Sequence, residues 1–96
     1  MFTTSHTLHF AIQASDDENT IHALAEQAGL KAYTLTPGTG YWEGIQEPCW
    51  SLVVYTTADD IDDIIFALNS LANAIKMFCH QEAVLYVEEQ VQGWLL

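Results

Sequence analysis

The longest regular pattern in the chain runs from Asp59 to His80. Ile61, Ile64, Ile65, Leu68, Leu71, Ala72, Ile75, Phe78 and Cys79 recur at steps of three and four, the spacing of one helix face. Asp60, Asp63, Asn69, Asn73 and Lys76 fall on the opposite face. Asp59, Asp60, Asp62 and Asp63 crowd the first turn, where the positive end of the helix dipole favours anions, and Thr56 and Thr57 are candidate caps. An apolar stripe this wide has to be covered by a sheet or by another helix.

The rest of the chain alternates at shorter period. From Thr7 to Ala14, Leu8, Phe10 and Ile12 alternate with Thr7, His9, Ala11 and Gln13, which predicts a strand with one buried face. Thr20 to Ala28 predicts a short helix, with Ile21, Leu24, Ala25 and Ala28 on one side and Gly29 as its stop. Ala32 to Leu35 predicts a second, short strand, and Thr36-Pro37-Gly38-Thr39-Gly40 a turn. Tyr41 to Pro48 reads either as an irregular edge strand or as a long hairpin loop, because proline opposes a central strand. Cys49 to Thr57 is the clearest strand. Trp50, Leu52 and Val54 face one way, Ser51, Val53 and Tyr55 the other, and two largely apolar faces imply a central position. Ala83 to Val91 closes the series as a last strand.

Strand, helix, strand, strand, helix, strand is the order of a ferredoxin-like α+β domain, with two helices on one face of a four-stranded antiparallel sheet. A different α+β sandwich with the same elements is the competing topology. One such domain accounts for residues 1–96. Its second sheet face would carry apolar and aromatic side chains, which points to a homodimer or a partner covering it. The fold decides nothing about chemistry.

Charge changes the picture. Thirteen acidic residues stand against two lysines, Lys31 and Lys76, with no arginine, for a formal net charge of -11. A protein that grips phosphate needs Lys and Arg, so direct binding to nucleic acid or an anionic membrane is excluded. The same surface attracts a basic groove on another protein. Two readings of the acids compete: a mimic of the nucleic-acid backbone, and a surface that is acidic only for solubility. Asp16, Asp17, Glu18, Glu43, Glu47, Asp59, Asp60, Asp62 and Asp63 would supply the charge of the mimic. Tyr41 and Trp42 would serve as aromatic anchors, against the alternative that Trp42 folds back over the sheet edge.

Reactive side chains are few. Cys49, Cys79, His80 and His22 would meet at one end of the fold, but no CxxC or HxxxH spacing supports a metal site. His6 and His9 lie three apart, so on a strand they face opposite sides and read as ordinary surface or edge residues. No phosphate loop, GxSxG elbow, HExxH or calcium loop is present. The sequence therefore reads as a non-enzymatic protein with no cofactor. The alternative is a small dimeric enzyme or ligand-binding domain with a pocket near Trp42, Glu47, Cys49 and Gln81. No stretch is long enough to cross a bilayer and no basic segment with an apolar run opens the chain, so a cytoplasmic location is expected.

Two fragments carry a resemblance. Gly40-Tyr41-Trp42-Glu43-Gly44-Ile45-Gln46-Glu47 and Gln81-Glu82-Ala83-Val84-Leu85 resemble segments of a group of small uncharacterised bacterial and phage proteins. Where that pattern commonly has Ser two residues after the Glu, this chain has Cys49. The resemblance implies a phage or mobile-element origin. In size and charge the chain is similar to acidic inhibitors of CRISPR or restriction machinery. The expected function is accordingly inhibition of a basic, nucleic-acid-handling complex.

Overall fold

The computed structural model describes residues 1–12 and 17–96. Its elements are β1 (Phe2–Ala11), α1 (Glu18–Ala28), β2 (Thr34–Trp42), β3 (Ile45–Thr56), α2 (Ile61–Phe78) and β4 (Leu85–Gly93). The strands form one antiparallel sheet in the order β2-β3-β1-β4. Both helices cover the same face of it, which makes the fold the expected ferredoxin-like α+β arrangement. Among the described residues no helix is long and apolar enough to cross a membrane.

The core lies between helices and sheet. Leu8 and Phe10 of β1, Leu52 and Val54 of β3, Ile21, Leu24 and Ala25 of α1, and Ala67, Leu68, Leu71 and Ile75 of α2 are all buried. The alternation of β3 holds, and β3 is central. The stripe of α2 holds except at Phe78, with Ile61, Ile64, Ile65 and Ala72 partly buried. Leu68, Leu71, Ile75 and Cys79 are buried, whereas Phe78, between the fully buried Ile75 and Cys79, falls on the outer side of the helix and is 59% exposed.

Helix ends follow local chemistry. Asp17 caps α1, its carboxylate accepting from the Thr20 backbone N–H at 2.9 Å and hydroxyl at 3.1 Å. Those bonds, the backbone one first, hold its pKa below the usual value. Gly29 ends the helix in the left-handed region at φ 96°. At α2 the expected threonine caps are replaced by another arrangement. Asp60 is the N-cap residue, but its carboxylate turns back to accept from Thr57 N–H at 2.7 Å and Thr57 Oγ1 at 2.9 Å. Thr56 is fully buried in the sheet and caps nothing.

The largest departure from the sequence reading is the β2–β3 hairpin. β2 does not stop at Leu35; it runs through Pro37, Gly38 and Gly40 to Trp42. An edge strand has one unpaired side, where proline and glycine cost little. The turn is only Glu43-Gly44, both with positive φ (50° and 80°), the conformation of a type I′ hairpin turn. β3 also contains Pro48. The last β1–β3 pair is Ala11 with Cys49, and the Pro48 carbonyl accepts from Ile12 N–H at 3.1 Å. Among the described residues, 45–47 therefore pair only with β2, and the tip of the hairpin extends beyond the last β1–β3 pair. β1 in turn begins at Phe2, earlier than its apolar alternation, paired with β4 from Phe2 and with β3 from Thr4; Gln13 and Ala14, expected at its other end, lie outside the described residues.

Candidate functional site

The register fixes which side chains share the sheet face left bare by the helices. Along the hairpin, Trp42 pairs with Ile45, Gly40 with Glu47, and Gly38 with Cys49. The next row holds Thr36, Ser51, His9 and Leu85. All of these point away from the helices, since Leu8, Phe10, Leu52 and Val54 point toward them. The two glycines leave a gap on β2. A methyl group built on Gly38 or Gly40 would meet the Cys49 Sγ at 3.6 and 3.7 Å. Glu47 and Cys49 stand half-buried beside this gap, and Trp42, farther along the same face, is 71% exposed. His9, set in a central strand rather than at an edge, bonds through Nδ1 to Ser51 Oγ at 2.8 Å.

Three of the four residues expected around a pocket, Trp42, Glu47 and Cys49, thus share one face. Gln81 does not join them; it lies after α2, its amide donating to the Cys79 carbonyl at 3.0 Å. The proposed cysteine–histidine cluster does not form either. Cys49 is on the bare face, while Cys79 is buried in the core on the other side of the sheet. His22, on α1, bonds instead to the Tyr33 hydroxyl. Among the described residues no group of three or more His, Cys, Asp or Glu could hold a metal ion.

The acids expected to meet a partner divide between the two ends of the sheet, while Glu88 and Glu89 lie within β4. Asp17, Glu18, Glu43 and Glu47 belong to the hairpin end; Asp59, Asp60, Asp62 and Asp63 belong to the end where α2 begins. Asp16 lies outside the described residues. Asp17 and Asp60 bond within the chain, through Thr20 and Thr57. Trp42 does not fold back over the edge. Tyr41, Trp42 and Ile45 are 72%, 71% and 67% exposed around the Glu43-Gly44 turn. Being adjacent in a strand, Tyr41 and Trp42 face opposite ways.

The helix side holds polar chemistry that alternation alone did not reveal. His6 is fully buried, its Nδ1 2.6 Å from the Tyr86 hydroxyl and its Nε2 2.7 Å from Thr56 Oγ1. Burial holds the imidazole pKa below its ordinary value of 6.5, against the smaller upward pull of Glu88 and Asp60. A neutral imidazole has one N–H, so one of the two hydroxyls must donate to it. Burial, with the nearby Glu88 carboxylate, raises the Tyr86 pKa. The signal in the sequence was the position of His6 two residues before Leu8, in phase with the buried face of β1.

No family model matches the chain, and no curated protein matches it. Solved structures do. A phage SAM lyase in its apo state has a TM-score of 0.68 at 12% identity, over 93% of this chain and 81% of that one. A DUF3240 family protein from Shewanella baltica OS155 has a TM-score of 0.63 at 16% identity, over 100% and 99%. CPII, a nitrogen regulatory PII-like protein from Thiomonas intermedia K12 bound to ADP, AMP and bicarbonate, has a TM-score of 0.59 at 10% identity, over 100% and 97%. At these identities the likeness is one of fold.

Proposed function

We propose that the chain binds S-adenosylmethionine at the Trp42–Glu47 patch of the bare sheet face, and acts at its sulfonium centre. The observation that carries this reading is a half-buried carboxylate beside a glycine gap, on the same sheet face as an exposed indole, on a chain of net charge -11. A sulfonium cation is drawn by the field of such a surface and by the face of an aromatic ring. Two fold neighbours support the choice of ligand: one is named a SAM lyase, the other is bound to ADP and AMP, and all three molecules carry adenosine. Charge discriminates among them. A chain with two lysines and no arginine has little with which to hold a diphosphate, and much with which to hold a cation.

Calorimetric titration with S-adenosylmethionine, S-adenosylhomocysteine and ADP tests this. The homocysteine compound lacks the methyl group and the positive charge, so it should bind more weakly, and ADP weakest. Glu47→Gln should weaken S-adenosylmethionine binding and slow its disappearance, followed by chromatography. Equal or tighter binding of ADP, or no binding of S-adenosylmethionine, would overturn the reading.

The projecting hairpin favours a second reading. Exposed Tyr41, Trp42 and Ile45 beside Glu43 form a protruding aromatic contact on an acidic body, suited to a basic, nucleic-acid-handling complex. Capture of such a complex should be lost in high salt and in a variant with Asp59, Asp62 and Asp63 changed to Asn. Salt-insensitive capture would count against it.

A further inference from the structure

The helices cover one face of the sheet, and the bare face carries side chains suited to a core. Two of its rows cross all four strands: Thr36, Ser51, His9 and Leu85, then Thr34, Val53, Thr7 and Val87. Tyr55 follows Val53 on the same face of β3. Leu85 and Tyr55 are 60% and 54% exposed, and Val53 and Val87 are half-buried. On a chain of net charge -11, neither row contains a carboxylate. The acids of this face stand outside the two rows, Glu47 toward the hairpin tip and Glu89 opposite Ser5 on edge strand β4. His9, the titratable group within the rows, is bonded to Ser51 at 2.8 Å.

We propose that the middle of this face is covered by the same face of a second copy of the chain, in a homodimer that buries Val53, Leu85 and Val87 between two sheets. Area supports a partner. The chain exposes 6514 Å², whereas a compact monomer of 10.7 kDa is expected to expose about 5,500 Å². The surplus of about 1,000 Å² is on the scale of the roughly 800 Å² that each member of a stable pair buries. Charge selects the partner. A basic protein would be drawn to the acids at the two ends of the sheet, not to rows without a carboxylate. A second copy offers the matching surface, neutral and set with small and β-branched side chains, and two such faces stack as a sandwich with layers about 10 Å apart. A pair of this kind uses one patch twice and closes on itself. The proposal concerns the two middle rows and does not rest on ligand binding at Trp42 and Glu47, which lie farther along the face.

Sedimentation equilibrium of the full chain reads the mass directly. At micromolar concentration it should give twice 10.7 kDa. Two bodies of charge -11 repel each other, so raising the salt should tighten the pair; a contact driven by opposite charges would loosen instead. Val53→Lys should weaken pairing by more than about tenfold, since it places an unpaired charge in an apolar contact. Leu85→Ser, at a position already 60% exposed in the single chain, should weaken pairing several-fold and leave the far-UV circular dichroism of the chain intact. Phe66→Lys adds the same charge on α2, on the helix side of the sheet, at a residue 75% exposed, and should leave the mass unchanged. A single-copy mass at every concentration and salt, pairing that loosens in salt, or equal loss in the two lysine variants would overturn the proposal.

Discussion

His6 Nδ1 and the Tyr86 hydroxyl meet at 2.6 Å across 80 residues of sequence. The bond ties β1 to β4 beneath the start of α2, and Thr56 of β3 completes it from the other side at 2.7 Å. Three strands are thereby joined by side chains as well as by their ladders. Thr56→Val keeps the shape and removes the partner of a buried ring nitrogen. The expected cost is about 1–3 kcal/mol, read as a lower urea midpoint with unchanged slope.

Acid should weaken the fold through the same histidine. Its folded pKa lies below the unfolded value of about 6.5, so the unfolded chain takes up the proton first. The stability this provides is full above that value and is lost as pH falls through the window down to the folded pKa. Urea midpoints measured from about pH 7 to about pH 5 should fall, and fall less in His6→Leu. Equal slopes in the two proteins would assign the acid sensitivity to other groups.

The hairpin depends on its two-residue turn. Gly44 sits at φ 80°, and a methyl group added there would have nothing within 4 Å, so the penalty for Gly44→Ala is conformational only. It should cost about 1–2 kcal/mol, a fall in Tm of roughly 4–8 °C per kcal/mol for a domain this size. Glu43→Asn should raise Tm, because Asn tolerates the left-handed region better than Glu. Thermal melts of both variants give opposite signs if the turn is type I′.

Two apolar residues of α2 should behave differently. Leu71 is fully buried, and Leu71→Ala should cost about 2–5 kcal/mol. Phe78 is mostly exposed, and Phe78→Ser should change stability by no more than about 0.5 kcal/mol. Denaturant titration of the pair separates the covered face of the helix from its outer face.

On the proposed S-adenosylmethionine reading, Trp42 contributes ligand contact rather than stability. Trp42→Ala should leave Tm within error, since the indole is 71% exposed. It should weaken S-adenosylmethionine by a factor consistent with a cation–π contact, about 0.5–2 kcal/mol. A large fall in Tm would instead make Trp42 a packing residue.

The sequence by itself determined the order of elements, the two helices and the central place of β3, because hydrophobic period is a local property. Leu68, Leu71 and Ile75, or Leu52 and Val54, declare their faces from a few neighbours each. It also determined the charge, and with it the poor fit to phosphate. Tertiary structure decided what depends on distant partners. Pro37, Gly38 and Gly40 look like a turn until their place in an edge strand, with one unpaired side, makes them a strand. Cys49 and Cys79 look like neighbours until the register sets them on opposite faces of the sheet. His6 looks like a surface residue until β3 and β4 bring Thr56 and Tyr86 to its two nitrogens, and a buried imidazole needs both.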